Sequence, residues 1–148
     1  MQLDHILVTT DLSPESLRPL QEAADLARKN GSRLTLLTVV HQVEGFPIDS
    51  PDVPELTDPD IEPRLEAARE SLRELTADVD DLDVQVAAIP AQKIPAAVET
   101  FATTHDVDLI AISTHGRTGW RRLALGSVAE AIVRQSSVPV LVFQRPTA

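Results

Sequence analysis

The sequence predicts a single α/β domain, residues 1–148, in which a parallel sheet is covered by helices on both faces. Five short runs rich in aliphatic and β-branched residues alternate with four helical patterns, an order typical of β-α-β units. Most of the runs are apolar at odd and even positions alike, as expected for strands buried on both faces. A chain of 148 residues also fits one domain with a sizeable core.

The first half of the chain contributes two strands and the helix between them. Leu3 to Thr9 is the predicted first strand, and Leu34 to Val40 is the second. Gly31 is predicted to end the intervening helix, because glycine readily adopts the left-handed conformation that follows a helix. This helix carries small and aliphatic side chains at helical spacing, namely Leu20, Ala23, Ala24 and Ala27.

The start of this helix has two interpretations. In the first, Ser13 is the N-cap and Pro14 occupies the first helical position, which leaves Pro19 to kink the helix. In the second, Ser16 is the N-cap and Pro19 lies in the first turn, where proline is tolerated. The sequence leaves both open.

A long irregular segment follows the second strand. Residues 41–63 carry prolines at positions 47, 51, 54, 59 and 63 and show almost no apolar periodicity. We predict a flexible loop near the ligand end of the sheet, since long irregular segments in compact domains are usually lids, binding loops or disordered. From about Asp60 to Asp78 the pattern becomes helical, with an apolar face formed by Ile61, Leu65, Ala68, Leu72 and Leu75.

The third strand follows an acidic run at 78–83. This run lacks the glycine and glutamate spacing of an EF-hand loop, so it predicts a solvated turn and no metal site. Alternating apolar residues at 84–88 predict the third strand. The helix after it is expected to bury the face formed by Ala97, Val98, Phe101 and Ala102.

The segment from Asp106 to Phe143 has the pattern of a strand, a loop, a helix and a strand. Val107 to Ile112 is the predicted fourth strand, and Val138 to Phe143 is the fifth. Ser127 and Glu130 have the spacing of a capping box, which predicts that Ser127 caps the fourth helix. The apolar face of this helix is predicted to consist of Val128, Ile132 and Val133.

The loop between the fourth strand and the fourth helix is the chemically informative stretch. Gly116 and Gly119 permit positive φ and close approach of a ligand, and Gly126 precedes a helix N-terminus that favours an anion. In a chain of net charge −10, three of the 13 basic residues lie in this loop: Arg117, Arg121 and Arg122. Both phosphate binding and a surface loop whose glycines only form turns remain open, because glycine-rich loops before helices are common.

This loop resembles the signature of a known family. Gly116, nine further residues and Gly126-Ser127 are similar to the C-terminal half of the pattern G-x2-G-x9-G-(S/T) of the universal stress protein family. The first glycine of that pattern is Ser113 in this chain. The run 6–11 and the sequence V-P-V-L-V-F resemble the first and last strands of the family. The resemblance covers nearly the whole chain and implies a Rossmann-like three-layer sandwich with strand order 3-2-1-4-5.

The implied strand order places a ligand site. In such a sheet a crevice opens between the carboxyl ends of the first and fourth strands, here Thr9-Thr10-Asp11 and Ile112-Ser113-Thr114. The resemblance implies that an adenine nucleotide binds there, specifically ATP with or without Mg²⁺. Asp11 matches the carboxylate that contacts the nucleoside, although capping of the following turn is an equal alternative. Val39 and Ile112 match the positions on the two sides of adenine.

The phosphate-binding run of the family is matched by Gly116, Gly126, Ser127 and Val128. The hydroxyl of Ser127 has two competing roles, because helix capping and a phosphate contact would both use it. Arg117 and Arg121 are added to the candidate site from their charge alone.

Composition and missing motifs exclude several functions. A pI of about 4.7 argues against nucleic-acid binding, and no apolar run has the roughly 20 residues that a membrane span needs. Cysteine is absent, and no signal-peptide pattern begins the chain, so we expect a cytoplasmic protein. The P-loop, H-E-x-x-H and G-x-S-x-G motifs are missing. We therefore expect no enzyme, with at most slow, incidental ATP hydrolysis.

Two functions remain after these exclusions. The first is a stress-response sensor or regulator that works through a bound ATP or ADP. The second is a dimeric adaptor of the same family that binds no nucleotide, which Ser113 favours because some members without the signature glycines are thought not to bind ATP. In both, we predict a homodimer through the apolar edge strand Val138 to Phe143, whose backbone would otherwise lack a partner.

Overall fold

Strands and helices alternate along the chain as predicted. The computed structural model describes residues 1–43, 58–114 and 125–144. The elements are β1 (His5–Thr9), α1 (Arg18–Asn30), β2 (Arg33–His41), α2 (Ile61–Leu75), a 3₁₀ turn (Ala77–Val79), β3 (Val84–Ala91), α3 (Ile94–Thr104), β4 (Leu109–Ser113), α4 (Ser127–Gln135) and β5 (Val140–Phe143).

The five strands form one parallel sheet in the order β3-β2-β1-β4-β5, which confirms the predicted topology. Val8 lies at the centre, paired with Leu36 of β2 on one side and with Ala111 of β4 on the other. From β1 the connections first run toward β3 and then reverse to β4. The carboxyl ends of β1 and β4 therefore diverge into a crevice.

Alternating side chains of each strand enter two separate core layers. Ile6 and Val8 pack in the layer that contains the buried residues of α1 and α2, whereas Leu7 packs in the layer that contains those of α3 and α4. Leu36 and Leu37 divide in the same way. This division explains why the strands are apolar at odd and even positions alike: both faces of the sheet are buried.

Helix α1 confirms one part of the second interpretation, Pro19 in the first turn, but the predicted N-cap Ser16 is wrong. It begins at Arg18 with Pro19 in its first turn, so the interpretation that started the helix at Ser13 and Pro14 is wrong. The N-cap is Leu17, with no side-chain cap, and Ser16 lies one residue earlier. The predicted stop is confirmed, because Gly31 adopts φ 69° and its N–H donates to the carbonyl of Ala27.

The predicted irregular segment 41–63 is shorter than expected at both ends. His41 belongs to β2, which continues because β3 pairs with it as far as Ala91. Helix α2 starts at Ile61, and its predicted apolar face is confirmed by the burial of Leu65, Ala68 and Leu72. Residues 44–57 lie outside the described residues, and the prediction of a flexible loop there stays a prediction.

Helix α4 differs from the sequence prediction in its cap and in its buried face. Gly126 is the N-cap and no side chain caps the helix, so the predicted Ser127–Glu130 capping box is wrong. Glu130 instead pairs with Arg134 at 2.9 Å. The helix buries Ala129 and Ile132, whereas the predicted face residues Val128 and Val133 are 40% and 44% exposed. The hydrogen bond from Gly126 N to the Thr114 carbonyl places the N-cap at Gly126, one residue before the predicted cap.

Among the residues that the structure describes, no helix is long and apolar enough to cross a membrane. Within the same ranges, no group of three or more His, Asp or Glu side chains is arranged to hold a metal ion. In the acidic turn, Asp81 accepts hydrogen bonds of 2.7 and 2.9 Å from Arg28.

A buried histidine at the amino end of the sheet, His5, is expected to make the stability of the fold pH-dependent. His5 is 3% exposed, with Nδ1 at 2.9 Å from the His105 carbonyl and Nε2 at 2.8 Å from Thr35 Oγ1. Burial lowers the pKa of His5, and the neighbouring Arg33 guanidinium lowers it further, while the His105 carbonyl and Asp108 oppose the shift.

Because the folded pKa of His5 lies below its unfolded value of 6.5, the unfolded chain binds the proton first. We therefore expect the free energy of unfolding to decrease as the pH falls below about 6.5. Urea titrations between pH 5 and 8 should show this decrease in the wild-type protein and a shallower one in His5→Gln. If the free energy of unfolding depends equally on pH in the two proteins, His5 is not the group responsible.

Candidate functional site

A cavity of about 330 Å³ opens at the carboxyl ends of β1, β2 and β4. Ligand pockets in proteins typically start at this size. Its lining comes from the ends of the three strands, from the turn after β1 and from α3 and α4: Thr9, Thr10, Asp11, Ser16, Leu37, Val39, Ile94, Val98, Ile112, Ser113, Thr114, Gly126, Ser127, Val128, Ala129 and Ile132. The cavity thus lies at the reversal of strand order, where the sequence placed the site.

The interior of the cavity is apolar. Ile112 is 2% exposed and Val39 is half-buried, and both pack in the core layer of α3 and α4. Leu37, Val98 and Ile132 line the cavity and belong to the same layer. An apolar slot of this kind suits the faces of a planar ring.

The backbone of β2 adds polar groups to this slot. The carbonyl of Leu37 points toward β1, where it accepts a hydrogen bond of 2.9 Å from Thr10 N. Since alternate residues of a strand direct their peptide groups to the same side, the N–H and C=O of Val39 also point toward β1. Strand β1 ends at Thr9, opposite Leu37, so the Val39 peptide groups face the crevice.

The turn after β1 places a carboxylate at the rim of the cavity. Asp11 is exposed, and its Oδ1 accepts a hydrogen bond of 2.9 Å from Ser13 N. Asp11 therefore caps the turn, which is one of the two roles that the sequence left open. Leu12 adopts φ 67°, a left-handed conformation that is unfavourable for leucine. Thr10 and Ser16, both buried, contact each other at 2.7 Å beneath this turn.

Across the crevice, the N-terminus of α4 is held against the end of β4. Gly126 N donates a hydrogen bond of 2.7 Å to the carbonyl of Thr114. A Cβ atom on Gly126 would lie 2.9 Å from the same oxygen, so the contact requires glycine, although the φ of −56° does not. The first intrahelical bond of α4 runs from Glu130 N to Gly126 O.

The start of α4 therefore favours a negatively charged group. The N–H groups of Ser127, Val128 and Ala129 have no partner within the helix, and the helix dipole adds positive potential at this end. Ser127 is exposed and does not cap the helix, so capping does not occupy its hydroxyl. The negative charge of Glu130 in the first turn is offset by its ion pair with Arg134.

Most of the predicted site residues meet in this cavity. The structure brings together Thr9, Thr10, Asp11, Val39, Ile112, Ser113, Gly126, Ser127 and Val128. Gly116, Arg117 and Arg121 lie outside the described residues, as does all of 115–124. The sequence interpretation missed Leu37, Ile94, Val98, Ala129 and Ile132 as cavity walls, because their apolar spacing is that of ordinary core. It considered Ser16 only as a helix cap.

Two other depressions are wider and more open. One, of about 610 Å³, lies at the amino ends of the strands and is lined by Arg28, Arg33 and Asp81 among others. The other, of about 590 Å³, lies along α3 and β3 near Lys93 and Phe101. Neither adjoins the reversal of strand order, so the smaller and more enclosed cavity is the candidate site.

Comparison with known proteins assigns the chain to a family. The sequence profile of the universal stress protein family matches residues 2–144. Universal stress protein A homolog 1 of Coxiella burnetii is 32% identical over 152 aligned residues, which cover 95% of this chain and 96% of the relative. Universal stress protein MJ0531 of Methanocaldococcus jannaschii is 28% identical over 142 residues, covering 95% of this chain and 82% of the relative.

Solved structures share the fold at lower sequence identity. Hypothetical protein MJ0577 superposes with a TM-score of 0.78 at 22% identity, and all of both chains is covered. A universal stress protein in complex with cAMP has a TM-score of 0.69 at 18% identity, covering 97% and 98% of the two chains. A universal stress protein of Archaeoglobus fulgidus in complex with dAMP has a TM-score of 0.60 at 22% identity, covering 96% and 98%.

Proposed function

The chain belongs to the universal stress protein family, and we propose that its crevice binds ATP or ADP and that the protein acts as a stress-response sensor or regulator through the bound state. The observation that carries the proposal is the cavity itself. It combines an apolar slot, a carboxylate and a helix N-terminus at the reversal of strand order. Base, sugar and phosphates of one nucleotide need these three environments.

The adenine ring would occupy the slot between Val39 and Ile112. Both side chains are apolar, and the Val39 N–H and C=O face the crevice, where they match an acceptor and a donor on the ring edge of adenine. Adenine nucleotides occur in two solved relatives, one in complex with cAMP and one with dAMP. These complexes support the same ligand class for this chain.

The sugar and the phosphates would lie between Asp11 and α4. The Asp11 carboxylate accepts hydrogen bonds from hydroxyl groups, and the N-terminus of α4, with Gly126, Ser127 and Val128, faces the phosphates. Gly116 and Arg117 belong to the proposal from the sequence. A Mg²⁺ ion, where present, would depend on phosphate oxygens, since the described residues offer no group of three ligands.

The nucleotide that the protein carries is tested by mass spectrometry of gently purified, denatured protein. We expect ATP or ADP at close to one molecule per chain. The proposal would be contradicted if the purified protein carries no adenine nucleotide and the fully refolded protein also binds none. The proposed role is binding in the cytoplasm, with slow and incidental hydrolysis at most.

Ser113 favours the second candidate function, a dimeric adaptor that binds no nucleotide. Its side chain stands at the end of β4, where the family signature has a glycine, and it lines the cavity. A Cβ and a hydroxyl at this position reduce the space for the ligand. The same hydroxyl is able to hydrogen-bond to a sugar or phosphate oxygen.

We expect Ser113→Gly to change the affinity for ATP by less than about tenfold, roughly 1.4 kcal/mol. Serine is small, and in β4 it adopts an extended conformation that requires no glycine. Calorimetric titration of the two proteins with Mg-ATP measures the change. A gain much larger than tenfold would show that serine disables the site and would favour the adaptor.

We further propose a homodimer through the strand that ends the sheet. Strand β5 has β4 as its one partner among the described strands, and Leu141 on it is exposed. A second copy related by a two-fold axis would pair its own β5 with this edge.

A further inference from the structure

We propose that Thr10 and Ser16 form a buried hydroxyl relay that positions the Asp11 carboxylate for the hydroxyls of a ligand's sugar, and that the Thr10 hydroxyl donates its hydrogen within the relay and not to the ligand. This inference rests on the proposed nucleotide site and assigns a specificity to it. The relay lies within residues 10–16, between the end of β1 and the start of α1.

The relay consists of five hydrogen bonds. Thr10 Oγ1 and Ser16 Oγ are 2.7 Å apart. Leu12 N donates to Thr10 Oγ1 at 2.9 Å, and Asp11 N donates to Ser16 Oγ at 3.3 Å. Ser16 Oγ lies 2.9 Å from the Ser13 carbonyl, and Ser13 N donates to Asp11 Oδ1 at 2.9 Å. Thr10, Ser13 and Ser16 are each less than 8% exposed.

One arrangement of the hydroxyl hydrogens makes every one of these contacts a hydrogen bond. A carbonyl oxygen only accepts, so the Ser16 hydroxyl donates its single hydrogen to Ser13. Ser16 Oγ must then be the acceptor in its contact with Thr10, and the Thr10 hydroxyl is the donor. Thr10 therefore has no hydrogen left to donate to a ligand, although it lines the cavity.

The relay explains how Leu12 is held in a conformation that leucine avoids. Leu12 has φ 67°, and its N–H is bound by Thr10 Oγ1. The preceding N–H, of Asp11, is bound by Ser16 Oγ. Strained backbone of this kind persists only where its surroundings determine it, and it is concentrated at binding sites. Loss of the Thr10 hydroxyl would leave the half-buried Leu12 N–H without its acceptor and release the turn.

The turn holds Asp11 at the rim of the cavity. Its backbone is held by Ser16 and its carboxylate by Ser13, so the side chain stays at the rim of the cavity. A carboxylate only accepts, so the ligand group opposite it must be a donor. With the apolar slot at Val39 and Ile112 taken by the base, and the donor on the ring edge of adenine matched to the Val39 carbonyl, the remaining donors of the nucleotide are the hydroxyls of its sugar.

The test compares ATP with 2′,3′-dideoxy-ATP, which lacks these hydroxyls, by calorimetric titration. We expect wild-type protein to prefer ATP by about tenfold or more, since hydrogen bonds to a charged group contribute this much. Thr10→Val, which keeps the shape but loses the hydroxyl, should reduce the preference to less than about threefold by weakening ATP binding alone. Ser16→Ala should have the same effect, and it replaces Thr10→Val in this test if the Thr10→Val protein does not fold.

Two control variants separate positioning from general destabilisation. Thr10→Ser keeps the hydroxyl and should restore the preference for ATP. Thr38→Val makes the same substitution at a buried threonine of β2 that does not line the cavity, and should keep the preference too. Amide hydrogen exchange supplies a ligand-free measurement: exchange of the Leu12 N–H should accelerate in Thr10→Val and not in Thr10→Ser.

The outcomes that contradict the inference differ from those that contradict the proposed function. Wild-type protein that binds neither nucleotide overturns the proposed function. Wild-type protein that binds both equally, or Thr10→Val protein that keeps the wild-type preference, overturns the relay while the nucleotide site stands. Equal weakening of both nucleotides by Thr10→Val would mean that Thr10 supports the fold and does not position Asp11.

Discussion

Replacement of Gly126 by alanine is expected to reduce the affinity for ATP by at least about a hundredfold, or about 2.8 kcal/mol. The new Cβ would lie 2.9 Å from the carbonyl oxygen of Thr114, a backbone atom at the end of β4. Neither partner is the flexible end of a side chain, so the start of α4 must move away from β4. The move would break the 2.7 Å hydrogen bond from Gly126 N and displace the N–H groups proposed to face the phosphates.

The second described glycine gives a matched control. Gly31 has φ 69°, and no atom of the described residues outside its chain neighbours lies within 4 Å of the position that a Cβ would take. Gly126 has the opposite properties, an ordinary φ and a crowded Cβ position. Gly31→Ala should therefore lower the free energy of unfolding by about 1 kcal/mol through backbone strain, with no effect on ATP affinity. Titration with Mg-ATP and urea denaturation of both variants would show the contrast. Wild-type affinity in Gly126→Ala would contradict the role of α4.

Leu141→Lys is expected to convert a dimer into a monomer. Leu141 is 40% exposed on β5, at an edge of the described sheet, where a lysine would place an ammonium group in the proposed contact. The carbonyls of Pro139 and Phe143 accept hydrogen bonds from β4, so by alternation the peptide groups of Val140 and Val142 point outward. An antiparallel partner strand could pair with those groups, so the edge is suited to a two-fold contact.

The structure also decides which residue of β5 should be changed. The side chains of Val140 and Val142 pack in the core layer of α3 and α4, so a lysine at either would disrupt the fold as well as the contact. Val43→Lys is the control, since Val43 is an exposed aliphatic residue beyond the end of β2, three strands from β5. Light scattering at tens of micromolar gives the mass, and circular dichroism verifies folding. A monomeric wild-type protein would refute the dimer, and a dimeric Leu141→Lys would refute this contact.

The sequence predicted the elements of this fold because its local and tertiary signals agree. The run from Leu34 to Val40 is apolar on both sides, and β2 is buried between two strands and two helical layers. Gly31 ends α1 because the left-handed conformation there favours glycine regardless of tertiary contacts. Boundaries set by distant contacts were not predictable. Helix α4 starts where Gly126 N donates a hydrogen bond to the carbonyl of Thr114. Thr114 lies twelve residues before Gly126 in the sequence, so no local sequence pattern predicts this contact.

The site was predictable in its location and only partly in its residues. Strand order and the glycine pattern placed it, but the walls formed by Val98 and Ile132 have the same spacing as ordinary core. The left-handed Leu12 has no sequence signal, because leucine is rarely found there. The contact of Ser16 with Thr10 was also not predictable. A serine before a helix predicts an N-cap, and only the folded structure shows that its hydroxyl contacts that of Thr10.

Nucleotide binding is tested most directly by calorimetric titration of Mg-ATP into protein that has been unfolded, freed of bound nucleotide and refolded. We predict saturable binding of one ATP per chain with a dissociation constant in the micromolar range or below, competed by ADP. The absence of heat and of competition up to millimolar ATP, in protein shown to be folded by circular dichroism, would contradict nucleotide binding and leave the adaptor function.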